Sequence, residues 1–149
     1  LAVERALAAV GLASLRRRPT DRLSGGERQR VWIARGLAQG AECLLLDEPT
    51  AHLDPQHESE LFGVLRNLSR EGTALVVASH HPGAALLYGT KVAFLKAGRI
   101  LAAGPVAETV TVDVLQAAYG LDFTIVTGVE GERAVVPRVG RVTATPTSR

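Results

Sequence analysis

"LSGGERQRVWIARGLAQGAECLLLDEPTAHLD", residues 23–54, is the stretch that decides how this chain is read. It opens on Ser24-Gly25-Gly26-Glu27, where Ser24 and Glu27 stand at the spacing of a capping box, so a helix starts at the glycine pair. It continues through an apolar run, Leu44-Leu45-Leu46, that ends on two adjacent carboxylates, Asp47 and Glu48, followed by Pro49. It closes on Asp54-Pro55, an N-cap aspartate with proline at the first helical position. A helix start that offers bare backbone N–H groups, followed by a short strand that delivers two acids to its carboxyl end, is a pairing suited to phosphate chemistry.

Outward from this segment, apolar spacing and breaker residues divide the chain. Residues 1–12 read as a helix with Val3, Ala6, Leu7 and Val10 on one face, stopped by Gly11. Residues 13–22 are a basic connector containing Pro19, and residues 25–38 a helix stopped by Gly40. Residues 43–47 and 73–79 read as short buried strands. Between them, residues 55–70 form an amphipathic helix with Leu61, Val64, Leu65 and Leu68 on one stripe. A short helix follows at 82–88. A hairpin at 91–96 and 99–103 turns on Ala97-Gly98, a helix spans 112–119, and a second hairpin at 123–127 and 133–136 turns within 128–131. After Pro137 the chain is rich in Arg, Thr and Pro and reads as a frayed tail. Strands alternating with helices predict a parallel α/β sheet, with chemistry at the carboxyl ends of the strands.

The bulk composition suits one ordinary domain: 149 residues, 46% hydrophobic, net charge +2. That charge is too small for a nucleic-acid footprint. The lone Cys43 excludes an internal disulfide and, lying in an apolar run, reads as a buried thiol. No apolar stretch approaches the roughly 20 residues of a membrane helix, and no secretory leader is recognisable. The chain has no methionine and begins inside a helical pattern, so it reads as the C-terminal part of something longer or as a truncated product.

Each candidate residue has a structural reading beside the chemical one. Asp47 can hold Mg²⁺ and Glu48 can orient or deprotonate a water, but a strand can also simply end in two solvated acids. Pro49 is expected to hold Glu48 in extended geometry. Ser24 can face an anion or only cap its helix. His80, after the second strand, can donate to a phosphate oxygen or a water, or serve as a loop histidine. His81, before Pro82, reads as structural. Asp54 reads most simply as a helix cap. The phosphate loop G-x-x-x-x-G-K-[ST] occurs nowhere in the sequence. Gly89-Thr90-Lys91 has its Thr and Lys in the wrong order and no glycine at the required distance.

Order and spacing together resemble the ATPase subunit of an ABC (ATP-binding cassette) transporter. Leu23-Ser24-Gly25-Gly26-Glu27 is similar to the family's signature motif, and residues 44–47 to its Walker B strand. Glu48 is similar to the catalytic glutamate, Ala51-His52-Leu53-Asp54 to the D-loop and His80 to the switch histidine. The resemblance implies an α/β fold: the C-terminal part of a P-loop ABC ATPase domain, mostly parallel sheet flanked by helices, with late β-hairpins. Residues 1–40 would be the end of the helical subdomain, 41–137 the C-terminal part of the RecA-like core, and 138–149 a flexible tail. The Walker A loop and Q-loop glutamine of the family lie upstream of the signature, which accounts for their absence here.

The resemblance also implies Mg²⁺ and ATP as cofactors and a head-to-tail dimer of ATPase subunits. Ser24, Gly25, Gly26 and Glu27 would then serve the partner's nucleotide. Asp47, as metal ligand, with Glu48 and His80 as catalytic groups, would serve the subunit's own. Residues 99–105 and 112–120 further resemble importers of iron-siderophore, haem and cobalamin, which implies membrane permease partners, no nucleic acid, and a cytoplasmic location on the inner face of the membrane. Within the importers, zinc/manganese and other importer ATPases stay open. So do a non-catalytic fragment, favoured by the missing phosphate loop, and a soluble ABC ATPase of DNA repair or translation.

Overall fold

The computed structural model describes residues 2–129 and 131–138. The chain forms two compact units, one ending at His80 and the other beginning at His81. The rest of the tail expected at 138–149, beyond Arg138, lies outside the described residues.

The first unit runs helix α1 (Ala2–Ala9), helix α2 (Gly25–Ala38), strand β1 (Cys43–Asp47), helix α3 (Pro55–Arg70) and strand β2 (Ala74–Ala78). In α1, Ala6 and, just beyond it, Val10 are buried, whereas Val3 of the expected face is 61% exposed. The basic connector contains two 3₁₀ turns, Ala13–Leu15 and Thr20–Arg22, too short to leave an apolar period in the sequence. Helix α3 buries Leu61, Phe62, Leu65 and Leu68, the stripe read from its spacing with Phe62 added and Val64 half-buried. Each such side chain, fully buried, contributes about 1.5–3 kcal/mol.

Strands β1 and β2 pair in parallel with Leu45 opposite Val76 and Asp47 opposite Ala78, joined by α3 in a β-α-β unit. The expectation that both strands are buried is corrected. Leu44 is buried and would be struck by a Cβ on Gly36 of α2, but its neighbour Leu45 is 77% exposed and Val76 is 57% exposed. Successive side chains point to opposite faces of a strand, and the helices here cover one of those faces. Cys43, on the open face, is likewise exposed rather than buried.

The second unit runs helix α4 (Pro82–Tyr88), strands β3 (Lys91–Lys96) and β4 (Arg99–Pro105), helices α5 (Val106–Thr109) and α6 (Val112–Tyr119), and strands β5 (Phe123–Thr127) and β6 (Arg133–Pro137). Both strand pairs are antiparallel hairpins. In the first, Lys96 pairs with Arg99, and Ala97 and Gly98 turn at φ 49° and 73°, positive at both positions as a type I′ turn requires. The core is Phe94, Val106, Val110, Leu115 and Phe123, with Tyr119 edge-on to Phe94 and Phe123 at ring separations of 6.4 and 5.7 Å. Strand β4 runs beyond residue 103, and α5 follows with no sequence signal of its own, since a single helical turn shows no period.

Candidate functional site

The described site residues all lie in the first unit, and the register of its strand pair assembles part of them. Because β1 and β2 run parallel with Asp47 opposite Ala78, their carboxyl ends emerge side by side. The Glu48 N–H donates to the Ala78 carbonyl at 3.0 Å, extending the ladder by one bond, and the chain then turns, the Ala51 N–H donating back to the Glu48 carbonyl at 3.1 Å. Held by both bonds, Glu48 adopts φ 45°, so the expected extended geometry is corrected. A left-handed residue ahead of a fully buried proline is strained, and such strain gathers where a side chain must be aimed. Here it aims the carboxylate at a histidine: His80 Nδ1 lies 2.8 Å from Glu48 Oε2. The histidine side chain is 80% exposed and that of Glu48 36%, so the pair is open to solvent and to a ligand. The side chain of Asp47, on the open face of β1, makes no hydrogen bond or ion pair among the described residues.

A second cluster forms around the start of α2. Ser24 and Glu27 make the complete capping box: the Glu27 N–H donates to Ser24 Oγ at 3.1 Å and the Ser24 N–H to Glu27 Oε2 at 2.7 Å. That backbone bond, with the positive charges of Arg18 and Arg30, holds the Glu27 carboxyl below its ordinary value. Gly25 is exposed, whereas Gly26 is buried: a Cβ there would lie 3.1 Å from Cδ2 of His57. The glycine pair therefore answers two demands, an open first position and a close approach to α3 at the second.

Asp54 caps α3. Its Oδ1 accepts from the His57 N–H at 3.0 Å and its Oδ2 lies 2.6 Å from His57 Nδ1, and these two contacts, the backbone one foremost, lower its pKa. Arg30 of α2 donates to Glu60 of α3 at 3.4 Å. Sequence reasoning missed His57, Arg30 and Glu60. The spacing Asp54-x-x-His57 at a helix start was the available signal for the first; Arg30 and Glu60 meet only through the packing of α2 on α3.

Comparison with known proteins bears directly on this arrangement. Residues 2–51 match the family model described as ABC transporter. The iron(3+)-hydroxamate import ATP-binding protein of Bacillus subtilis is 42% identical over 82% of the chain and 46% of its own length. The chain belongs to the ABC transporter ATP-binding family. The hemin import ATP-binding protein of Streptomyces coelicolor is 45% identical over 79% of the chain and 42% of its own length. Among solved structures, a protein described as an inward-facing metal-chelate type ABC transporter superimposes with a TM-score of 0.83 at 27% identity, over 93% of this chain and 57% of that one. The chain thus spans about half the length of the ABC proteins it matches. Its α/β elements are those of a partial ABC ATPase domain. Among the described residues no helix is long and apolar enough to cross a membrane.

Proposed function

We propose that the chain is the signature-to-switch part of the ATPase subunit of an ABC importer for a metal chelate such as a ferric siderophore, haem or cobalamin. The observation that carries this reading is the Glu48–His80 contact of 2.8 Å at the ends of two adjacent parallel strands, beside Asp47, whose side chain has no partner among the described residues. The importer class is supported by the names of relatives, which include iron-hydroxamate, hemin and cobalamin import ATP-binding proteins. On this reading the chain works with a second ATPase subunit and with membrane permeases, at the cytoplasmic face of the membrane.

The residues present fit Mg²⁺ with ATP in part. Mg²⁺ is commonly held by one or two carboxylates together with substrate phosphates and water, and Asp47 supplies one free carboxylate. Bound Mg-ATP would supply the scissile phosphoanhydride and neutralise charge on its oxygens. Glu48 takes or orients a proton of the attacking water. His80, fixed by Glu48, presents its remaining ring nitrogen toward developing phosphate charge. The first-turn N–H groups of Gly25 and Gly26 have no intrahelical partner and suit the phosphate of a nucleotide held by the partner subunit. With no phosphate loop in the sequence, this chain by itself is expected to bind Mg-ATP weakly and to show no turnover.

The test uses an ATPase subunit carrying this sequence together with a phosphate loop. Glu48→Gln should leave ATP binding nearly intact while slowing hydrolysis roughly 10²–10⁴-fold, the loss expected for a general base. Asp47→Asn should weaken Mg-ATP binding, His80→Ala should slow hydrolysis more than binding, and Gly25→Asp on one subunit of a mixed dimer should disable the partner's site. Calorimetric titration and single-turnover rates read all four. Loss of binding in Glu48→Gln with only a rate effect in Asp47→Asn would exchange the two carboxylate roles, and saturable micromolar Mg-ATP binding by the unaided chain would overturn the reading of its incompleteness.

A further inference from the structure

We infer that His57 is a positioning residue that locks Asp54 and the Gly25-Gly26 turn into one rigid piece. The inference rests on the ATPase reading above. Three contacts carry it. One residue holds both oxygens of the Asp54 carboxylate, through its backbone N–H at 3.0 Å and its Nδ1 at 2.6 Å. Asp54 is held ionised at neutral pH, so Nδ1 carries the hydrogen and the imidazole tautomer is fixed. The other side of the same ring faces Gly26 closely: a Cβ there would lie 3.1 Å from Cδ2 and 3.4 Å from Cβ of His57. On the near side of Asp54, Leu53 Cδ2 lies 3.7 Å from the Cβ position of Gly25. The glycine pair is thus seated against residues on both sides of Asp54.

The ring is 35% exposed and its orientation is set by a hydrogen bond, so it cannot swing away from Gly26 without releasing Asp54. A displacement at either end is therefore passed to the other. If the glycine turn faces one nucleotide and the Asp54 loop lies next to the strand ends that face another, His57 is the physical link by which the two stay in register.

Two arms test this. On the chain itself, ¹H–¹⁵N spectra of His57→Ala should move the amides of Leu53 and Asp54 together with those of Gly25 and Gly26. His57→Asn, whose amide nitrogen replaces Nδ1, should restore the Asp54 region, and His57→Phe, which keeps a ring but no donor, should restore the glycine region alone. Unmoved Gly25 and Gly26 resonances in His57→Ala overturn the inference. In an ATPase subunit with its phosphate loop, His57→Ala should lower kcat about tenfold with KM for ATP changed less than about twofold, because geometry rather than binding is lost. His57→Asn should recover most of that loss, a rescue that a purely stabilising residue would not give. Unchanged kcat in His57→Ala overturns the positioning role while leaving the ATPase reading intact. Absence of turnover in the unsubstituted subunit, with the amide shifts as expected, overturns the ATPase reading and reduces the locked piece to a structural joint.

Discussion

The parallel pair β1–β2 and the hairpin unit after His80 bury their apolar side chains very differently. Phe94, Leu115 and Phe123 are drawn from β3, α6 and β5, all within one continuous stretch from residue 94 to residue 123, and close on one another: Leu115 is 0% exposed. In the parallel pair, Leu44 is 7% exposed but Leu45 is 77% exposed, although both belong to one unbroken leucine run. Hairpins and short helices can cover a core from local chain. A parallel pair is joined through a helix, which covers one face and leaves the other to whatever else packs there. The open face in the first unit is thus a consequence of topology, and the residues on it are apolar enough to belong to a two-sided sheet.

Several substitutions break or sharpen this contrast. The largest effect is expected for Leu115→Ala, which removes a fully buried side chain from the closed core and should cost about 2–5 kcal/mol in a urea titration. A smaller effect of opposite sign is expected at the first hairpin. Ala97 holds φ 49° without a glycine, and Ala97→Asn, giving the preferred Asn-Gly turn, should stabilise by about 0.5–1 kcal/mol. Leu45→Ala, in spite of its position in the leucine run, should change stability by less than about 0.5 kcal/mol, since its side chain is already in water. A cost comparable to that at Leu115 would show that the face is covered.

The weakest effect is electrostatic and confined to the first unit. Glu27 and Asp54 both have carboxyl pKa values lowered by backbone N–H donors, from ordinary values of 4.5 and 3.8. Their contribution is therefore fully present above those values and is lost as pH falls through the lowered folded-state values. Glu27→Gln and Asp54→Asn keep the caps without the charge and should flatten the fall in melting temperature below about pH 4. A fall that stays as steep in the double variant would place the acid sensitivity elsewhere.

Much of the site was legible because its parts are local. Ser24, Glu27 and Asp54 announce helix starts through short-range hydrogen bonds that the structure contains at the same positions, and Asp47-Glu48 follows an apolar run of strand length. The strand and helix order followed from breakers and periods that act over a few residues. The 3₁₀ turns and α5 were not legible, being too short for any period to develop. Burial at Cys43 and Leu45 was misread, because an apolar run states what a strand can tolerate and leaves open how many of its faces are covered.

By itself, then, the sequence determined the order of the elements other than α5 and the 3₁₀ turns, the caps at Ser24 and Asp54, and the family to which residues 23–54 point. These depend on interactions within a few residues of chain. Only the tertiary structure decided that Glu48 turns left-handed to meet His80, that Gly26 is bare because His57 stands over it, and that the leucine strand is covered on one face. Each of these brings together residues far apart in the chain, through strand register or helix packing, and a local pattern carries no record of what will be across from it.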